Sequence, residues 1–473
     1  MVNKESRNFH EEQEIFDALQ RYEEMLRKGL NIYFDVIQIE YIIDNFLEEG
    51  KLQQAMQVVE MGMNQHPSSM ALKIKKANIL LSLGEIPASL ELANELIKIE
   101  DTNHELHLLK GSSHLLLGQS EDAIQSFNLS LKYSSVDRGE TLFNIGFAYE
   151  QIGDYQKAVS YLEEAVTDDP ENEEAIYELA YCYEKNGENQ RSIEIYNKYI
   201  DLDTFSDSAW FNLGILYTKT EDFEKSVWAY ELALAINEDF PNAWFNLGHS
   251  YMLQNNYHKA INAFEEFLRY EEDNDDIHCY IAECYISLDE EPNALIYYQK
   301  ALKQNPLCAK AWFGSGLITK NMGNVKTAFE QLRKAVKIDE ENGEYQYAYA
   351  MVATEFKRYK EAINAFDAAI ELNPLELEYW LAYAEMLFQR GMVVTAIETL
   401  NLAFEFHPDN SEINYTLAAY YLDSLDQKNA KRFFEKALRS NFEDHYLFFE
   451  SYPEAMQIDW IQKVLQKHRP SKA

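Results

Sequence analysis

The chain has 473 residues, 47 % of them apolar and 14 % aromatic, enough for a large core and against wholesale disorder. Ten prolines and 17 glycines are few for an all-β chain of this size and suit long helices joined by short connections. With 80 acidic against 42 basic residues the formal charge is −38, which repels phosphate backbones and anionic lipid and points away from nucleic-acid and membrane roles.

The opening stretch "MVNKESRNFHEEQEIFDALQ" has no apolar core of signal-peptide length and is acidic by residue 11. Residues 9–30 then set Phe9, Phe16, Leu19, Met25, Leu26 and Leu30 among charges, the pattern of an amphipathic helix. Residues 1–35 are accordingly expected to form an N-terminal capping helix.

An internal repeat follows. "AWFNLG" at 209–214 returns at 243–248, and "AWFGSG" stands at 311–316, intervals of 34 residues and twice 34. With the last glycine of the hexapeptide as position 8 of a 34-residue unit, that position is Ile43, Ala77, Gly111, Gly146, Ala180, Gly214, Gly248, Ala282, Gly316, Ala350, Ala384 and Ala418. Position 20 is Ala or Ser in every unit, from Ala55 to Ala430. One extra residue enters between Gly111 and Gly146, most simply within 134–140.

Bulky residues fill the complementary places, as with Trp210, Leu213, Tyr217 and Tyr230 at positions 4, 7, 11 and 24. The spacings 4-7-8-11 and 20-24-27 each put one helix face inward, and small residues at 8 and 20 let two helices cross closely. Proline at position 32 in five units (Pro67, Pro170, Pro306, Pro374, Pro408) ends the second helix. Departures are local: Ile43 at position 8, Lys76 and Lys110 at position 7, and Tyr199 and Phe267 at position 27.

After residue 444 the register breaks, and "MQIDWIQKVLQKH" at 456–468 keeps Ile458, Ile461, Val464 and Leu465 at helical spacing. The expected organisation is therefore a cap over 1–35, about twelve units over 36–444, and a C-terminal capping helix with a basic tail over 445–473.

The repeat over 36–444 resembles the tetratricopeptide repeat. The resemblance implies an all-α fold, a right-handed superhelical α-solenoid of about twelve helix-turn-helix units with capping helices at both ends. It also implies a non-enzymatic, cytoplasmic scaffold that holds a protein or peptide segment in a concave groove. The other reading of such an array is a structural subunit whose outer faces build a larger assembly.

Chemistry-bearing motifs are scarce. His104, His107 and His114 are the densest histidine group, but His107 and His114 stand at packing positions 4 and 11 and lack companion ligands. "GSGLITK" at 314–320 follows no strand as a phosphate loop must, and Gly316 is a packing glycine. Cys182, Cys279, Cys284 and Cys308 form no CxxC pair and read as reduced thiols. About 35 residues before the array and 30 after it are too few for a catalytic domain. No catalytic residue, metal, cofactor or small-molecule substrate is expected.

The family lines its groove with the face 2-5-9-12 of each first helix. Position 5 here is Phe143, Tyr177, Phe211, Phe245, Cys279, Phe313, Tyr347, Leu381 and Tyr415. Two readings stay open for these rings: packing between adjacent repeats, or a ladder of anchors for a partner segment. Asn144, Asn212 and Asn246 match the asparagines that one member carries at position 6, whereas Glu178, Tyr280 and Gly314 do not. Residues 300–338 carry eight Lys and Arg against Glu330 alone. Lys310 and Lys320 fall at positions 2 and 12 around Phe313, which suits an acidic partner segment.

Overall fold

The computed structural model describes residues 18–134, 138–271 and 273–469. Among them there is no strand, and twelve helix pairs follow one another between Val36 and Ser440. Phe9, Phe16 and residues 135–137, part of the segment expected to hold the extra residue, lie outside the described residues.

The pair Asp207–Lys219 and Phe223–Ile236 shows how one unit is built. Ser206 precedes the first helix, and its hydroxyl accepts from the Ala209 amide. Asp222 does the same for the second helix with the Lys225 amide. Each cap satisfies a donor that the helix start leaves unpaired, worth about 1 kcal/mol. In the first helices of six further units Ser69, Asn103, Asn172, Asn274, Asn342 and Asn410 fill the same place.

Between the two helices the chain turns through one left-handed residue. That residue is position 15 in every unit: Gly50, Gly84, Gly118, Gly153, Gly187, Glu221, Asn255, Asp289, Gly323, Lys357, Gly391 and Leu425, with φ between 59° and 80°. In the Glu221 turn the Asp222 amide donates to the Tyr217 carbonyl at 2.9 Å and the Glu221 amide to Thr218 at 3.1 Å, closing the first helix.

The small residues do what their spacing predicts. A Cβ on Gly214 would stand 2.6 Å from the Tyr230 ring, and one on Gly146 would stand 2.6 Å from Leu162. Tyr230 and Leu162 are both position 24, so the second helix lays a large side chain directly on the position-8 backbone. At two of the serines in position 20 the hydroxyl crosses to the position-8 carbonyl: Ser89 to Ala77 at 2.7 Å and Ser192 to Ala180 at 2.9 Å. In the first unit Ile43 at position 8 and Val59 at position 24 are buried in one core, so a larger residue is answered by a slimmer partner.

Position 4 is more than packing. Trp210 donates its indole N–H to Thr204 O at 3.1 Å, Trp312 to Pro306 O at 2.9 Å, and Trp380 to Pro374 O at 2.9 Å. Gln346 reaches Glu340 O in the same way, and His107 Nε2 lies 2.7 Å from Asp101 O. The residue satisfied is position 32 of the preceding unit, the carbonyl left over where the second helix ends.

Two compact units, 1–243 and 244–473, divide the chain. In the first, the helix over 18–28 buries Ala18, Tyr22 and Met25 beside Phe34, Ile39 and Ile42. Leu26 and Leu30, expected on its apolar face, are exposed instead, because the buried stripe runs through 18, 22 and 25. In the second, one core runs from Ala328 to Val464. It takes in Ile461 and Val464 of the helix Asp459–His468, with Ile458 and Leu465 packed beside them. A short helix His445–Ser451 adds Phe448 and Phe449 to that core, an element the broken register concealed.

Candidate partner-binding face

The first helices carry positions 2, 5, 6, 9 and 12, and the structure leaves most position-5 rings half-buried. In the first compact unit, Phe143 stacks on Phe147 with centroids 6.2 Å apart. Tyr177 packs on Tyr196 and Tyr199 and hydrogen-bonds Glu173 and Ser206. Phe211 rests on Tyr230 and, at 4.7 Å, on Phe240. In the second compact unit, Phe313 stacks on Tyr345 at 4.5 Å, and Tyr347 stacks on Tyr379 at 4.3 Å. Tyr345 and Tyr379 belong to the next repeat, so each ring spends one face on its neighbour and keeps the rest at the surface. Cys279 and Tyr415 are wholly buried, and the Tyr415 hydroxyl donates to Asn441 O. These two positions interrupt the series.

The asparagines divide likewise. Asn144 donates back to Glu140 O of its own helix at 2.9 Å. Asn212 and Asn246 are half-buried on the same face, next to Phe211 and Phe245.

Half of the cations in the basic segment are answered from within. Lys310 pairs with Glu283 at 2.7 Å and lies 4.3 Å over the Tyr280 ring. Burial works to lower its pKa, but the hydrogen bond and charge of Glu283 outweigh that and raise it. His249 and Phe245 complete this cluster, with His249 4.4 Å from Tyr280 and 4.5 Å from Phe245. Burial and the Lys310 charge hold the imidazole below its ordinary pKa, hence neutral. Lys334 sits 3.8 Å over Trp312, Lys300 3.9 Å over Tyr297, and Arg333 bonds Glu330. Lys320, like Lys303, Lys326 and Lys337, makes no ion pair among the described residues.

Two acidic features carry no mark in the helical period. Glu150 at position 12 lies beside Glu178 at position 6 of the next unit; burial first, then Glu178, pushes the Glu150 carboxyl up to about 8. A cleft of about 650 Å³ next to Tyr347 and Tyr379 is walled by Glu341, Glu344, Glu376 and Glu378. The signal for both lies in Glu residues of adjacent repeats, which a single helix face does not reveal. A separate cleft of about 430 Å³ lies among Val166, Thr167, Ile195, Lys198 and Leu202 of two second helices and Ile176 and Tyr183 of the first helix between them, and Trp228 on another second helix stands 50 % exposed.

The histidine group and the glycine-rich stretch are absorbed by the fold. His114 Nδ1 meets Gln119 Oε1 at 2.6 Å, and no group of residues that could hold a metal ion occurs among the described residues. Gly314 and Gly316 lie within the helix Ala309–Asn321, against Tyr298 and Leu332. No described helix is long and apolar enough to cross a membrane.

Three family models match the chain. The C-terminal domain of cilia and flagella-associated protein 70 matches 235–447, and two tetratricopeptide repeat models match 151–214 and 207–240. No curated protein matches. Among solved structures, the MamA protein is 25 % identical over 37 % of this chain and 95 % of its own, with a TM-score of 0.35. YrrB, described as a tetratricopeptide repeat protein with an unusual peptide-binding site, is 22 % identical over 40 % and 96 %, TM-score 0.33. The anaphase-promoting complex hetero-tetramer Cut9–Hcn1 is 14 % identical over 98 % and 95 %, TM-score 0.37.

Proposed function

Because the chain belongs to the tetratricopeptide repeat family, whose members are generally protein-interaction scaffolds, we propose that it is a non-enzymatic scaffold holding a partner segment on the first-helix face. The half-packed rings at position 5 carry this reading. A ring fixed on one side by the next repeat loses little conformational entropy when a partner covers the other side, which is what a binding anchor requires. Phe245, Phe313 and Tyr347 are such rings in the second compact unit; Phe143, Tyr177 and Phe211 in the first are held instead by rings of their own repeats. Asn212 and Asn246 would serve a partner backbone, since an amide both donates and accepts.

Charge sorts what the segment carries. The cleft at Tyr347 and its four glutamates suit a Lys or Arg. Near Phe313, Lys320 is the cation left for an acidic residue, while Lys310 is committed to Glu283. The boundaries 1–35, 36–444 and 445–473 divide this scaffold into cap, array and cap, and a cytoplasmic place accords with four reduced thiols.

The second reading, a subunit using its outer faces, is favoured by exposed Trp228 and by the name of the matched domain, that of a cilia- and flagella-associated protein. The two separate by mutation of the tagged protein purified with what it retains. Phe211→Ala and Phe313→Ala should each cut retention at least tenfold with helicity unchanged. Loss on Trp228→Ala alone would move the function to the outer faces.

A further inference from the structure

Seven units cap their first helix with Ser or Asn; the ninth places Cys308 there. Its sulfur lies 3.6 Å from that of Cys279, on the first helix of the eighth unit. Both thiols are reduced, Cys279 is wholly enclosed, and Cys308 keeps a narrow 7 % opening beside exposed Leu307. Cys182 and Cys284 are buried without such a neighbour among the described residues.

We propose that Cys279 and Cys308 form an oxidisable dithiol site, closed by hydrogen peroxide or a related hydroperoxide into a disulfide that ties the eighth repeat to the ninth. The separation is a van der Waals contact between sulfurs, and a shift of about 1.6 Å brings it to bonding distance. The turn holding Cys308, between the helices Glu291–Gln304 and Ala309–Asn321, is where such a shift is cheapest.

Chemical order follows from position. The hydrogen bond shared with Cys279 lowers the pKa of Cys308, and the Ala311 amide at the helix start acts in the same direction against burial and the Asp275 carboxylate. Cys279 is raised by the same hydrogen bond and by burial. Cys308, more acidic and at the opening, is therefore the first nucleophile. Its thiolate attacks one peroxide oxygen: an S–O bond forms, the O–O bond breaks, and the departing hydroxide takes up the thiol proton as water. The Cys279 sulfur then attacks the Cys308 sulfur: the S–S bond forms, the S–O bond breaks, and hydroxide leaves with the Cys279 proton as a second water. Two thiols lose two electrons and one peroxide gains them.

Cys279 is position 5 of its unit, and Lys310, two residues beyond Cys308, pairs with Glu283 of the eighth unit. The bond would thus fasten a step of the face on which the proposed partner lies. The chemistry itself does not depend on that function.

The test uses the folded full-length chain with a few equivalents of hydrogen peroxide, followed by alkylation and non-reducing peptide mapping. A Cys279–Cys308 linked peptide, a loss of 2 Da reversed by dithiothreitol, and Cys182 and Cys284 still alkylated after unfolding are expected. In Cys279→Ala, a dimedone adduct should appear on Cys308 instead. If all four thiols of the native chain oxidise at one rate, or the pair links only after denaturation, the proposal is wrong.

Discussion

At the scale of single residues, the array is specified by a size rule across the helix crossing. Gly214 faces the Tyr230 ring so closely that a methyl group has no room without moving the ring. Gly214→Ala is expected to lower stability by about 1–3 kcal/mol, the range for overpacking, read as an earlier denaturant midpoint. Glu150 makes a different kind of prediction. Its carboxyl stands at about 8 in the folded chain against an ordinary 4.5, so folding favours the protonated form. That contribution is whole below about pH 4.5 and is lost as pH rises toward 8. Glu150→Gln should flatten this part of the stability profile between pH 5 and 8; an unchanged slope would show that the Glu150–Glu178 contact is not protonated there.

At the scale of the helix pair, the turn at position 15 requires a left-handed residue in all twelve units, and five of them meet it without glycine. Leu425 is the extreme case, 86 % exposed at φ 63°, with nothing packed to justify its side chain. The left-handed form costs a non-glycine residue roughly 1–2 kcal/mol, partly offset by the entropy glycine loses on folding. Leu425→Gly should therefore raise stability by about 0.5–1 kcal/mol, and Gly391→Leu should lower it by a similar amount, both measurable by thermal melting.

The same element shows what sequence reading captures. Positions 8 and 20 were legible because only small residues fit there, so the chemical alphabet narrows to Gly, Ala and Ser. Position 15 was not, because its constraint is on backbone angle, and Glu, Asn, Asp, Lys and Leu among the glycines blur the signal. Position 4 announced bulk but not its hydrogen bond, since Trp, His and Gln share only an N–H aimed six residues back. For the candidate face, the helical period located the rings, and their half-burial against Tyr345 and Tyr379 needed the adjacent repeat. The pairing of Lys310 with Glu283 was hidden for the same reason, 27 residues away in sequence but adjacent in space.

At the scale of the whole molecule, a net charge of −38 biases encounter toward partners with basic segments and makes association salt-dependent. Lys320 runs against that bias, so Lys320→Glu should slow association with a partner bearing an acidic residue there, and the difference should shrink as salt is raised. Lys310→Glu would set two carboxylates against each other at Glu283 and so would report folding as well as binding. The most direct test of the scaffold reading places a photo-crosslinking phenylalanine at Phe143, at Tyr347, or at Trp228 on a second helix, in the protein's own cells. Irradiation should join one and the same partner to the chain through the first two sites and not the third; adducts through Trp228 alone would contradict a first-helix binding face.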